Sequence, residues 1–289
     1  MNVAVIGAAG FLGCFLMRAI ARQGHSVIGY GRHLPDSRIL GAEFRIMDVV
    51  GDVSIEPGID AVIYLAQSAH YRSFPQGASD LFAVNALGVV RCAEAAAKAG
   101  VKKFFHASTG NVCMPSFDAL SETAPEDRTR PYSLSKLMGE EALQLFSDLE
   151  TCSFRLFGLF GPGQKDMLSP NLIDSVRNEK SIRLFPAPNR EEDGGLKLSF
   201  TFVEDAALAI TQLLEVSDLP SVLNIADPQA VSLRTFSETI GRVIGKEPVF
   251  EVASSPRPFD LIADTTLMQT ILDTPFTPLG EALAQTVAP

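Results

Sequence analysis

The chain has 289 residues, 46% of them hydrophobic and 20% charged, with a net charge of -10 at pH 7. That length and apolar content suit one large α/β domain, or such a domain with a smaller lobe, around a substantial core. The acidic balance argues against nucleic acid or an anionic membrane as partner, because their phosphates would be repelled; a small anionic ligand can still bind in a locally basic pocket. The four cysteines, Cys14, Cys92, Cys113 and Cys152, are scattered with no CxxC or Cys/His cluster, so neither a metal site nor a disulfide framework is indicated. A reduced, cytoplasmic setting is expected. No uninterrupted apolar run reaches the roughly 18 residues of a membrane span. The apolar start at 3–17 has no basic residue before its apolar stretch and is broken by Gly7, Gly10 and Gly13, unlike a signal peptide.

Short apolar runs alternate with helix-period segments through the first half, the pattern of a parallel sheet covered on both faces. Residues 3–6 read as the first strand and 11–23 as the first helix. Strands follow at 26–30, 43–47 and 61–65, then a long helix at 82–99 closed by Gly100 and a fifth strand at 103–107. The helix carrying Tyr132 is predicted to run to about 149, with a sixth strand at 153–156. Strands joined by helical crossovers make a doubly wound, Rossmann-type fold. Ligands then bind beyond the carboxyl ends, so the loops after Ile6, Tyr30, Leu65 and Ala107 should converge on one site.

After Phe157 the alternation fades, and Gly161-Pro162-Gly163 marks a boundary. The remainder is expected to form a smaller substrate lobe over the ligand edge. Segments 198–214 and 222–225 read as a helix and a strand returned to the large domain. The expected division is therefore interleaved: 1–157 plus about 198–227 for the dinucleotide-binding domain, about 158–197 plus 228–289 for the lobe. Segment 186–197, rich in Asn, Asp, Glu and Gly, reads as a surface loop.

Two motifs carry chemistry. Gly7-Ala8-Ala9-Gly10-Phe11-Leu12-Gly13 directly follows a strand and opens a helix, where glycines permit a tight turn and close approach of a pyrophosphate to helix N-terminal amides. Tyr132 and Lys136, four apart, share one helix face. An ammonium beside a phenol favours the phenolate by charge attraction, and a free phenol titrates near ~10, so such a cation could make Tyr132 an acid or base near neutrality.

With both motifs in one chain, the sequence resembles the short-chain dehydrogenase/reductase superfamily, and more closely its extended, NAD-dependent epimerase/dehydratase branch acting on nucleotide sugars. Other matching elements are Asp48 and Val49 after the third strand, Leu65-Ala66-Gln67 after the fourth, and Asn85 with Gly88 in the following helix. Further matches are His106-Ala107-Ser108-Thr109, the crossing from Arg155 through Phe157 to Gly163, and Phe202-Val203-Glu204-Asp205. The resemblance implies that Tyr132 is the general acid/base, that Lys136 lowers its pKa and binds the nicotinamide ribose, and that Thr109 hydrogen-bonds the reacting oxygen. Thr109 is preferred to Ser108 by its offset from Val112-Cys113, and alternation along the strand end should point the two apart. Implied cofactor contacts are Gly7, Ala9, Gly10, Phe11, Leu12, Gly13, Arg32, Asp48, Val49, Leu65, Ala66, Gln67, Ala107, Tyr132, Lys136 and Phe157. Candidate substrate contacts are His70, Asn111 and Asn171. The chain departs from the family at Val112-Cys113-Met114, where Val-Tyr-Gly is common, and at Gly158, where an asparagine is common.

NAD-specific members of such folds usually end the second strand in a carboxylate for the ribose hydroxyls. Here Gly31, Arg32 and His33 stand there, and a guanidinium can pair with a 2′-phosphate, so NADP is favoured over NAD within an NAD(P) site. His25 and His33 are expected to be exposed and His106 to lie in the core, while Glu140/Glu141 and Glu191/Glu192 read as solvated faces. The expected activity is hydride transfer at a hydroxyl or keto carbon by an epimerase or reductase, with dehydration ranked last because Gly110-Asn111 supply no acidic group. The alternative is a non-enzymatic dinucleotide sensor or interaction protein on the same fold. Helices 82–99 and 132–149 are expected to form a homodimer bundle.

Overall fold

The computed structural model describes residues 1–35, 39, 41–188 and 194–288. Its first strand, β1 (Asn2–Ile6), is buried from Val3 onward, as a strand covered on both faces must be. Helix α1 (Phe11–Arg22) turns Leu12, Leu16, Met17 and Ile20 inward. Strands β2 (Ser26–Gly31), β3 (Ala42–Ile46) and β4 (Ala61–Tyr64) come next. The predicted helix at 82–99 is three pieces: α2 (Ala78–Phe82), a π-turn (Ala83–Leu87) and α3 (Gly88–Ala99). The extra residue of a π-turn rotates the next turns of the helix about its axis. Here the turn aims buried Asn85 at its neighbours: Oδ1 accepts from Ser68 N and Nδ2 donates to Ser135 Oγ, both at 3.0 Å.

Strand β5 (Lys103–Thr109) extends two residues beyond its predicted end. Helix α4 (Pro131–Leu143) starts with proline in its first turn and stops six residues short of the expected 149. Turns at Phe146 and Leu149 replace its last part, because β6 (Glu150–Leu156) begins early and pairs Glu150 with Lys103. The second half contains β7 (Leu159–Phe160), α5 (Leu168–Arg177), β8 (Ser181–Leu184), β9 (Lys197–Leu198), β10 (Thr201–Phe202) and α6 (Val203–Gln212). It closes with β11 (Val222–Ile225), β12 (Val231–Ser232), α7 (Leu233–Ile244), β13 (Val249–Val252), α8 (Thr266–Ile271) and α9 (Leu279–Val287). Segment 198–214 is thus two short strands ahead of a helix. Residues 189–193, including Glu191 and Glu192, lie outside the described residues.

The main sheet has seven parallel strands in the order β11-β6-β5-β4-β1-β2-β3. Alternation divides the core between its faces: Phe105 joins Leu16, Met17 and Ile210 of α1 and α6, whereas Phe104 joins Val89, Ala93 and Leu143 of α3 and α4. Register aligns Ile6 with Tyr30 and Tyr64, and Tyr64 with His106. The strand order reverses between β1 and β4, so their carboxyl ends leave a crevice, above which β5 projects Ala107, Ser108 and Thr109.

Candidate active site

A cleft of about 1120 Å³ occupies that crevice, and every cofactor contact implied by the resemblance lines it, from Gly7 to Phe157, together with Thr109 and Asn111. The glycine turn shows why bulk is excluded. Gly7 has φ +87°, and a Cβ there would lie 2.8 Å from Ala66 N; a Cβ on Gly13 would lie 2.5 Å from Gly7 O. Gly10 N donates to Gly7 O at 3.0 Å, and the first backbone bond of α1 runs from Cys14 N to Gly10 O at 3.1 Å. The amides of Phe11, Leu12 and Gly13 therefore face the cleft end of the helix without intrahelical partners, a cradle suited to a pyrophosphate. At the far end, Gly31, Arg32 and His33 line the cleft together with Asp48, whose Oδ1 accepts from Val50 N at 3.0 Å. The residues present fit a nicotinamide dinucleotide.

At the centre, three consecutive residues of β5 meet three residues of α4 spaced four apart. Lys136 Nζ donates to Ala107 O at 2.8 Å, the Ser108 hydroxyl donates to Glu140, and Thr109 stands on the Tyr132 side, near enough for its hydroxyl to act on the phenol's pKa. Ser108 and Thr109 thus point apart, and Thr109 Oγ1 also accepts from Asn111 N and Nδ2 at 3.2 Å. Asn111 is held in turn, its carbonyl accepting from Arg130 at 2.8 Å and from Ser133 Oγ at 2.7 Å.

The electrostatics differ from the sequence-based expectation. Burial, and secondarily Tyr71, push the Tyr132 phenol above its ordinary value of 10, with Thr109 and Arg72 acting the other way. Lys136 is not what lowers it. Its ammonium is turned to Ala107 O, and burial brings its own pKa down from 10.5 to about 8, against the opposing charge of Glu140.

Glu140 is a second correction. Rather than facing solvent it is 2% exposed, and it accepts from Arg155 Nη2 at 2.7 Å and Nε at 3.1 Å. Arg155, itself 1% exposed, also reaches Glu126 at 3.2 Å and the Glu122 carbonyl at 3.0 Å. The signal in the sequence was the i, i+4 spacing from Lys136, which puts Glu140 on the sheet-facing side of α4; Glu141, one position on, is exposed and pairs with Arg128.

The strap after β4 supplies contacts that the motifs did not reveal. Tyr132 OH donates to Gln67 Oε1 at 3.0 Å, and the Tyr71 ring packs on Tyr132 with centroids 5.2 Å apart. His70, in contrast, is exposed and does not line the cleft, because the strap turns Tyr71 and Arg72 inward. Asn171 is likewise exposed, on the side of α5 opposite its buried Leu172, Ile173 and Val176. His33 is exposed. His25 is not: its side chain is 12% exposed, Nδ1 lies 3.1 Å from the amino terminus and Nε2 3.5 Å from Glu215. His106 is fully buried, with Nδ1 3.3 Å from Ser153 Oγ, and burial together with Lys136 lowers its pKa well below 6.5. Among the described residues no group of His, Cys, Asp or Glu is placed to hold a metal.

A sequence model of the NAD dependent epimerase/dehydratase family matches residues 3–226. The chain belongs to this family. It is an NAD(P)-dependent enzyme of the extended short-chain dehydrogenase/reductase type. It is 27% identical to the UDP-glucose 4-epimerase of Mycolicibacterium smegmatis over 99% of this chain and 97% of that protein. It resembles the solved structure of MoeE5 in complex with UDP-glucuronic acid and NAD, at 27% identity and TM-score 0.80, covering 99% and 97% of the two chains. The fold is also that of the Bacillus cereus UDP-glucuronic acid 4-epimerase, at 22% identity and TM-score 0.84 over 99% and 97%.

Proposed function

We propose that this enzyme transfers hydride at a hydroxyl or keto carbon of a nucleotide sugar, with Tyr132 exchanging the proton at the reacting oxygen. The observation that carries this reading is the meeting of Tyr132, Thr109 and Lys136 in the same cleft that the glycine cradle lines. A bound dinucleotide supplies the hydride acceptor and donor. Gly7, Gly10 and the amides of residues 11–13 would hold its pyrophosphate, and Lys136 its nicotinamide ribose. Thr109 would hydrogen-bond the substrate oxygen while the phenol gives or takes its proton. Because burial holds the phenol protonated, its resting role is that of acid, and the positive charge of an oxidised nicotinamide is what favours its action as base.

Epimerisation and net reduction share this step. An epimerase oxidises the carbon and returns the hydride to the other face, retaining its cofactor; a reductase delivers hydride once and releases product. Mass spectrometry of the purified protein separates them: retained dinucleotide supports the epimerase, and an empty site with an NADPH spectral response supports the reductase. Absence of any dinucleotide binding would reject the reading.

Arg32, with no carboxylate at the end of β2, supports NADP through a charge-assisted pair with the 2′-phosphate. The similar solved structures carry NAD, so the preference rests on Arg32 alone. A cytoplasmic location is supported by the scattered spacing of the four cysteines, which form no CxxC or Cys/His cluster in the sequence; among the described residues no helix is long and apolar enough to cross a membrane. A homodimer through α3 and α4 is supported by exposed Leu87, Met138 and Leu145 beside those helices.

A further inference from the structure

The strap after β4 crosses the cleft from the catalytic phenol to the second half of the chain. Arg72 Nη1 donates to Asp166 O at 3.1 Å, Nη2 donates to Met167 Sδ at 3.2 Å, and Tyr71 OH lies 3.6 Å from the same sulfur. The guanidinium sits over the Tyr71 ring, 4.9 Å from its centroid, and that ring rests on Tyr132. Arg72 lines the cleft and is exposed to it. Among the described residues it pairs with no carboxylate; its polar partners are one carbonyl and one thioether.

Those are poor partners for a planar fork of donors that matches a carboxylate bidentately. Of the other cations lining the cleft, Lys136 is committed to Ala107 O, and Arg130 to Asp127 and to the carbonyls of Asn111 and Cys113, while Lys165, next to Asp166, carries a point charge rather than a planar fork. Arg32 is at the opposite, β2 end. Arg72 is therefore a charged donor set without a matching acceptor, one aromatic ring away from the phenol that marks the reacting oxygen.

We infer that Arg72 is a specificity-determining residue that pairs with a carboxylate carried by the sugar beside its reacting carbon, so that the enzyme prefers uronate over neutral sugar nucleotides. The inference rests on the nucleotide-sugar reading above. It gives the strap a purpose: its contacts to residues 166 and 167 hold the guanidinium at a fixed place beside Tyr132, and a carboxylate would displace the weaker sulfur contact. The substrate's diphosphate is the other source of oxyanion in such a cleft, and the test separates the two.

Binding by calorimetry and turnover would be measured with UDP-glucuronate, UDP-glucose and UDP, at saturating cofactor, for the wild type, Arg72→Ala and Arg72→Lys. The wild type should prefer UDP-glucuronate to UDP-glucose, and Arg72→Ala should shrink that ratio by about 10–100-fold, the size of a charge-assisted pair. Arg72→Lys should restore part of the ratio, since it returns the charge without the fork. UDP affinity should change far less. Equal losses for both sugar nucleotides, or a matching loss for UDP, would place Arg72 on the diphosphate and overturn the inference. Wild-type binding of UDP-glucose with no preference for the uronate would overturn it while leaving the nucleotide-sugar reading intact. Binding of neither sugar nucleotide would instead remove that reading, and the inference with it. Arg72 is exposed, so an unchanged melting profile will certify the variants as folded.

Discussion

On its cofactor side the cleft is made mostly of backbone, whereas on its substrate side it is made of side chains. The turn from Gly7 to Gly13 presents amides and leaves no room for a methyl group at either end. The opposite wall is Tyr71, Arg72 and Met167, brought together from two distant stretches of chain. A backbone wall binds whatever shares one shape and charge, here a dinucleotide, and it fails when a Cβ is added. A side-chain wall can be retuned by substitution without touching the sheet, which is where relatives of one fold can diverge in substrate. Between the two walls, α4 serves both: Tyr132 faces Gln67 and Tyr71, Lys136 the strand end, and Glu140 the buried Arg155.

That contrast is most sharply tested at Tyr132. Tyr132→Phe keeps the ring packing on Tyr71 but removes the proton, so turnover should fall by about 10²–10⁴-fold while fluorescence titration shows cofactor affinity nearly unchanged. Comparable losses in both would mean that the two walls are not separable.

Glu140→Gln should break the buried pair and lower unfolding free energy by about 3 kcal/mol in urea denaturation, because it leaves buried Arg155 with only the more exposed Glu126 as counter-charge. The same variant carries a pH signature. Lys136, with its pKa near 8, keeps its charge below that pH and loses it as pH rises, so a basic limb of activity is expected there. Glu140 raises that pKa, and its removal should move the limb to lower pH. Stability has the opposite sign: since the folded pKa of Lys136 lies below its ordinary 10.5, this group should make the wild type more stable as pH climbs from about 8 toward that value. A basic limb unmoved in Glu140→Gln would confine Glu140 to a structural part.

On the backbone wall, Gly13→Ala forces a methyl into Gly7 O and should cost about 1–3 kcal/mol of stability together with much of the dinucleotide affinity, read by thermal melting and titration. Gly280→Ala, at a position with open space around it, is the control and should stay within about 0.5 kcal/mol. The smallest effect is expected at the adenosine end, where Arg32→Ala should weaken NADP by about tenfold and leave NAD little changed. A marked NAD preference that survives the substitution would discard the NADP assignment.

The sheet was legible because buried parallel strands are continuous apolar runs and a crossover helix has its own period; the site's cofactor half was legible because only glycine fits its turn. Glu140 and Glu141 show where reading stopped. The two carboxylates are adjacent and chemically identical, yet one is buried against Arg155 and the other lies at the surface with Arg128, a difference set by a 100° step around α4 and by what packs there. His25 and the end of α4 depart from expectation for a related reason: the amino terminus, Glu215 and an early β6 decide them.

By itself the amino-acid sequence determined the doubly wound sheet, the cofactor turn and the Tyr132/Lys136 pair, all of which depend on spacings of a few residues along the chain. Tertiary structure alone decided the partial burial of the phenol, the turning of Lys136 to Ala107 O, and the strap that sets Arg72 against residues 94 and 95 positions away. The physical reason is that backbone geometry is local, whereas burial and charge at a point are sums over everything that folds around it.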